Sequence, residues 1–174
     1  MGVHVKYRRL GRLWIVSLAG LAVMAIGSVW ANRQIVINTS PSVRPGLYIR
    51  SWEPLHVGAI VDFRIPATAR AYVRARTGKN GDVWYILKPI AAGPGDRVDT
   101  TGKWLVINGR HIAPMPPQNY GDGHPLPIWR DSRVLGANEF FVFSNRIPNS
   151  FDSRSYGPIC RTQIETVRIP LITW

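Results

Sequence analysis

The chain has 174 residues, enough for one domain or one domain with an appendage, and carries 22 Lys and Arg against 10 Asp and Glu, a formal charge of +12. That excess is mostly arginine spread along the whole chain with no aromatic-plus-basic module, which argues against a specific nucleic-acid partner. A single cysteine, Cys160, excludes an internal disulfide and a cysteine-built zinc site, and His4, His56, His111 and His124 lie too far apart for metal ligation and read as surface residues, so no metal or cofactor is expected.

Residues 1–12 hold Lys6, Arg8, Arg9 and Arg12 and no acid, a basic flank. Residues 13–31 follow without a charge, long enough at about 20 apolar residues to span a bilayer as a helix. Trp14 and Trp30 stand at its ends, where indoles favour the headgroup zone. The flank predicts a cytoplasmic N-terminus and a single pass, with everything from residue 32 onward on the far side. The competing reading is a cleaved signal peptide. The stretch is longer than an ordinary signal core, and Trp30-Ala31-Asn32-Arg33 is a poor cleavage site, so a retained anchor in contact with membrane lipid is expected.

Beyond the anchor the chain reads as mainly β over 32–174, with no secure helix. Residues 33–38 suggest a short strand. In 39–50, TSPSVRPGLYIR, Pro41, Pro45 and Gly46 hold an extended, turning loop around Ser42. Residues 55–66 read as a strand ended by Pro66, and 67–82 as either a helical turn or a long hairpin. An apolar strand over 84–92 ends in the turn Gly93-Pro94-Gly95-Asp96, and 98–103 is turn-like. Residues 104–112 form a hairpin across Asn108-Gly109. Residues 113–133 make a Pro/Gly-rich loop or cap. The run NEFFVFS, 138–144, is a buried strand, 146–159 a hydroxyl-rich loop, and the last ten residues an apolar stretch.

Lys88 is the one cation of the 84–92 strand. Burial there penalises the charged amine and lowers its pKa, by as much as ~3–5 pH units when complete. A lysine neutral near physiological pH can act as a base. The alternative is that Lys88 packs its stem and leaves the ammonium in water.

Three stretches, SPSVRPG (40–46), YILKPIAAGPGDRV (85–98) and SFDSRSYGPI (150–159), resemble in content and order the boxes of membrane-anchored type I signal peptidases, the S26 family that uses a Ser–Lys dyad. The likeness is greatest to the TraF-type peptidases of conjugative transfer, with their single anchor, an Asn-x-x-x-Ser approach (Asn38 to Ser42) followed by Gly46-Leu47-Tyr48, and SFDSRxxGP near the end. It runs from the anchor to about residue 160 and leaves 113–133 without counterpart. One position departs: Arg44 stands where the family has proline, and the proline is Pro45, with the Ser42-to-Gly46 spacing kept.

The resemblance implies a signal-peptidase-like β-rich catalytic body. It makes Ser42 the nucleophile and Lys88 its general base. The oxyanion would be held by the Ser42 N–H and the Ser40 hydroxyl, and Ser150 would orient the Lys88 amine. Asp152 and Arg154 would support the site as a pair, since an unshared carboxylate beside Lys88 would raise the lysine pKa. The implied substrate is a pilin precursor at the periplasmic face of the inner membrane, cut or cyclised, with other conjugation-apparatus proteins as partners. A general signal peptidase acting on secreted preproteins is the nearest alternative. A non-catalytic anchored assembly protein is the alternative of another class. The strand segments at 55–66 and 84–92 are the expected partners for an extended substrate backbone.

Overall fold

The computed structural model describes residues 34–77, 85–117 and 126–174, with positions 17, 18, 20, 21 and 24. The basic flank 1–12, most of the expected anchor 13–31 and the middle of 113–133 lie outside the described residues. Among the described residues no helix is long and apolar enough to cross a membrane. The chain divides into two units, Met1–Val36 and Ile37–Trp174, and the second holds the site.

The body is mainly β. In chain order come β1 (Ile35–Asn38), β2 (Gly46–Ser51), β3 (Ile60–Arg64), helix α1 (Ala67–Thr77), β4 (Tyr85–Ala92), β5 (Arg97–Asp99), β6 (Trp104–Ile107), β7 (Arg110–Pro114), β8 (Ser132–Val134), β9 (Glu139–Val142), the short helix α2 (Ser153–Tyr156), β10 (Ile159–Cys160) and β11 (Ile164–Thr173). Seven strands form one sheet in the order β1-β2-β11-β3-β4-β9-β10, and four form a second in the order β7-β6-β5-β8.

The period-2 alternation of strands explains how β9, a strand of the large sheet, serves both cores. Phe140 and Val142 face the core of the large sheet, with Val61, Phe63 and Ile159, whereas Phe141 and Phe143 face the core of the small one, with Val98, Leu105 and Leu135. Strand β4 makes the same change of core, from Ile90 to Ala92, through a register shift between those two residues where it pairs β9. A shift of one residue turns the following side chains to the other face. The β6–β7 hairpin turns at Asn108 (φ 50°) and Gly109 (φ 78°), both left-handed as a tight two-residue turn requires.

Several elements differ from the sequence-based expectation. Gly46–Ser51, expected as loop for residues 46–50, is a strand that lies between β1 and β11, and its β11 partners are more than a hundred residues away: Tyr48 pairs Pro170 and Arg50 pairs Arg168. Residues 67–77 settle as a helix, with Ala69 buried and Tyr72 stacked on Phe151 at 4.9 Å between ring centroids. The ends of the expected 113–133 loop are strand residues of β7 and β8, too short to show a period. Arg97–Asp99 is likewise the strand β5. The expectation that segments 55–66 and 84–92 pair a substrate is overturned for β3 alone. Strand β3 has β11 on one edge and β4 on the other, whereas β9 pairs β4 only from Ile90 onward, so among the described residues no strand pairs the second edge of β4 over residues 85–88.

Gly46 is fixed by close approach. A Cβ there would fall on the Ile172 carbonyl oxygen and against Thr173 of β11. Gly46→Ala is expected to destabilise by about 1–3 kcal/mol through overpacking, read as a lowered midpoint in denaturant unfolding. An unchanged midpoint would mean that β2 and β11 can separate at no cost.

Candidate active site

Lys88 lies mid-strand in β4, opposite Val61 of β3. Alternation places it on the face of Ile86 and Ile90, toward the core of the large sheet. It is 3% exposed. Its amine donates to Ser150 Oγ at 3.0 Å, and among the described residues it forms no salt bridge with a carboxylate. Burial lowers its pKa from 10.5 to about 8; Asp152 pulls it back up, and Arg154 presses it down. At pH 7 about one amine in ten is then neutral, against fewer than about one in a thousand at the ordinary value. Loss of water on burial supplies most of the change.

Ser42 sits in the loop between β1 and β2, and this loop is tied down by side chains at both ends. Asn38 Nδ2 donates to the carbonyls of Ser40, Val43 and Arg44 at 3.0, 3.0 and 3.1 Å, and Asn38 Oδ1 accepts the Ser40 N–H at 3.2 Å. Tyr48 OH donates to the Arg44 carbonyl at 2.7 Å, and Arg146 Nε to that of Pro41 at 3.2 Å. The Arg44 side chain itself is exposed, so the family's proline is replaced where only backbone is held. Ser42 is 2% exposed. Its hydroxyl lies 2.9 Å from Ser40 Oγ, and its N–H points to the same oxygen at 3.4 Å. A backbone donor and a hydroxyl donor thus stand side by side.

The third component is the turn that leads into α2. Asp152 caps α2 and accepts two parallel bonds from the Arg154 guanidinium, each 2.9 Å, with both residues buried. Arg154 also donates to the Pro114 carbonyl of β7 at 3.0 Å and lies over the Phe143 ring. The Ser144 N–H donates to Asp152 Oδ2 at 3.4 Å, and the Ser144 hydroxyl donates to the Ser42 carbonyl.

The six residues singled out in the sequence thus fall into two hydrogen-bonded groups. Ser40, Ser42, Asp152 and Arg154 are joined through Ser144, while Lys88 is joined to Ser150, two positions from Asp152. Among the described residues no hydrogen bond links Lys88 Nζ to Ser42 Oγ. Sequence reasoning missed Ser144 and Arg146. Ser144 does carry a signal, because it keeps the parity of Phe140 and Val142 and so falls on a buried position just past β9. A groove of about 290 Å³ runs against Ser144 and Arg154, walled by Ile112, Met115, Phe143 and Ile147. Such a constellation suits acyl transfer by an activated hydroxyl.

Comparison with known proteins gives three findings. The family profile for signal peptidase, peptidase S26, matches residues 8–174. Two plasmid transfer proteins TraF of Escherichia coli are similar to the chain. One is 35% identical over 179 aligned residues, covering 97% of this chain and 96% of its own. The other is 33% identical over 169, covering 91% and 94%. Among solved structures, a signal peptidase I of Enterococcus faecalis V583 aligns with 67% of this chain and 98% of its own at 18% identity and a TM-score of 0.40.

The lowered lysine pKa has a sign that unfolding can read. Between about pH 8 and the unfolded value of 10.5 the unfolded chain binds the extra proton, so stability rises with pH across that window. The full change corresponds to about 3 kcal/mol. Denaturant unfolding at pH 7, 8, 9 and 10 is expected to show this rise in the wild type and to lose it in Lys88→Met. Parallel profiles for the two proteins would mean that the amine is not desolvated.

Proposed function

This chain belongs to the S26 signal peptidase family, and from that premise we propose that it is a membrane-anchored serine endopeptidase that matures a pilin precursor of a conjugation system at the periplasmic face of the inner membrane. The observation that carries this reading is the Lys88 amine, buried and held by a hydroxyl instead of a carboxylate. A hydroxyl holds the neutral amine without charging it. The plasmid-transfer names of the two relatives support the conjugative setting.

In the proposed reaction the Ser42 hydroxyl leaves Ser40 and passes its proton to Lys88 Nζ as its oxygen attacks the scissile carbonyl carbon. Catalytic hydrogen bonds commonly tighten only when substrate is bound. The oxyanion accepts from the Ser42 N–H and from the freed Ser40 hydroxyl, each worth about 2.7–4 kcal/mol of barrier. Collapse breaks the C–N bond, and the Lys88 ammonium returns its proton to the leaving amine. The acyl ester on Ser42 is then resolved by water, or by the substrate's own amino terminus to give a ring. With both edges of β3 used, the second edge of β4 over residues 85–88 and the groove beside Ser144 are the proposed seat for chain flanking the cut bond.

The test is mass spectrometry of a co-expressed pilin precursor with wild type, Ser42→Ala and Lys88→Ala. Processing in the wild type alone is expected, and a product lighter by one water than the linear form marks a ring. Processing by either variant overturns the dyad. For the wild type, kcat/KM is expected to rise with pH through an inflection near 8, where the amine loses its proton.

A further inference from the structure

We propose that Ser144 is a positioning residue that transmits the rigidity of the Asp152–Arg154 pair to the backbone of Ser42. This deepens the peptidase reading above and rests on it. The case starts from what the Ser42 carbonyl needs. That carbonyl belongs to a loop residue, and among the described residues its donor is the Ser144 hydroxyl. Holding it fixes the peptide plane that follows Ser42. That plane bounds the Ser42 side chain on one side; the plane on the other side, which carries the Ser42 N–H, is held through the Pro41 carbonyl by Arg146.

Ser144 is itself held. It is 3% exposed, its N–H is taken by Asp152 Oδ2 at 3.4 Å, and its oxygen also accepts the Arg146 N–H at 3.3 Å. Arg146 in turn grips the Pro41 carbonyl, so two residues of one short segment hold two successive carbonyls of the nucleophile loop. Asp152 has little freedom to move, because the Arg154 guanidinium and the Arg154 N–H occupy both its oxygens. One turn, 150–154, therefore orients both halves of the site: Ser150 the amine of Lys88, and Asp152, through Ser144, the backbone of Ser42. Asp152 then acts on the nucleophile without touching it.

The test combines Ser144→Ala, Asp152→Asn, the double variant and Ser144→Thr, which keeps the hydroxyl donor. Cleavage of a peptide spanning the pilin processing site is expected to show Ser144→Ala with kcat lowered about 10–100-fold, since small misplacements near a reacting atom cost that much. KM should stay within about twofold and the pH inflection should not move, because the Lys88–Ser150 half is intact. Because Asp152 also acts on the charge of Lys88, rates are compared above the pH inflection, where Asp152→Asn should add little in the Ser144→Ala background and Ser144→Thr should recover most of the rate. Hydrogen exchange of the segment 39–45 gives a readout that needs no cleavage. It should quicken in Ser144→Ala and in Asp152→Asn, by no more in the double variant, while β3 stays protected. Multiplicative losses, a wild-type rate in Ser144→Ala, or unchanged exchange at 39–45 would overturn the proposal. Cleavage that survives Ser42→Ala would sink the peptidase reading instead, and the exchange data would still decide whether Ser144 ties Asp152 to the loop.

Discussion

A carboxylate buried beside an amine ordinarily holds that amine charged. The fold limits this by matching Asp152 with Arg154: two parallel bonds from the guanidinium and one from the backbone N–H balance its charge locally, and the Ser144 N–H adds a fourth. What Lys88 feels is then mainly the loss of water, with the two members of the pair pushing in opposite directions. A buried ion pair contributes little net stability when its desolvation is counted, and breaking one by removing a partner is costly. Here its value lies in the field it does not create.

A second buried pair, Asp62 with Arg168, shows the contrasting use. Arg168 donates to Asp62 Oδ2 through Nε at 3.1 Å and Nη2 at 2.7 Å, and Asp62 Oδ1 takes the Thr166 N–H. It bridges β3 and β11 in the middle of the large sheet. Asp62 and Val61 are sequence neighbours on opposite faces of β3, so the pair sits on the face away from Lys88. One pair fixes the sheet; the other, at the junction of the two sheets, fixes the turn beside the amine.

Much of the body was legible in the sequence because it is locally encoded. The Lys88 strand, the Asn108-Gly109 hairpin and the NEFFVFS strand rest on apolar runs and turn residues that need no distant partner. The strands that escaped notice are either three residues long, as β5 and β8 are, or set by remote pairing, as β2 is by β11. The helix α1 stayed ambiguous because its buried face is small, with Ala69 against the core and Tyr72 on Phe151. Of the site, hydroxyls, lysine and the Asp–Arg pair were visible as residue types with known chemistry. Ser144 was not, because its significance lies in a carbonyl 102 positions away.

That same long reach bears on the order in which the protein takes shape. The chain entering and leaving the Ser42 turn is completed by β2, and β2 finds its partner in β11, where Thr173 lies opposite Gly46 and the Trp174 N–H closes on the Pro45 carbonyl. Pairings this remote in sequence form late, since a large loop must close before they are rewarded. The far end of the Ser42 loop is therefore placed last, once residues 164–173 have joined the sheet. A chain without that last strand would keep the Asn38 bonds inside the Ser42 loop but lose the partner that carries the loop's far end into the sheet.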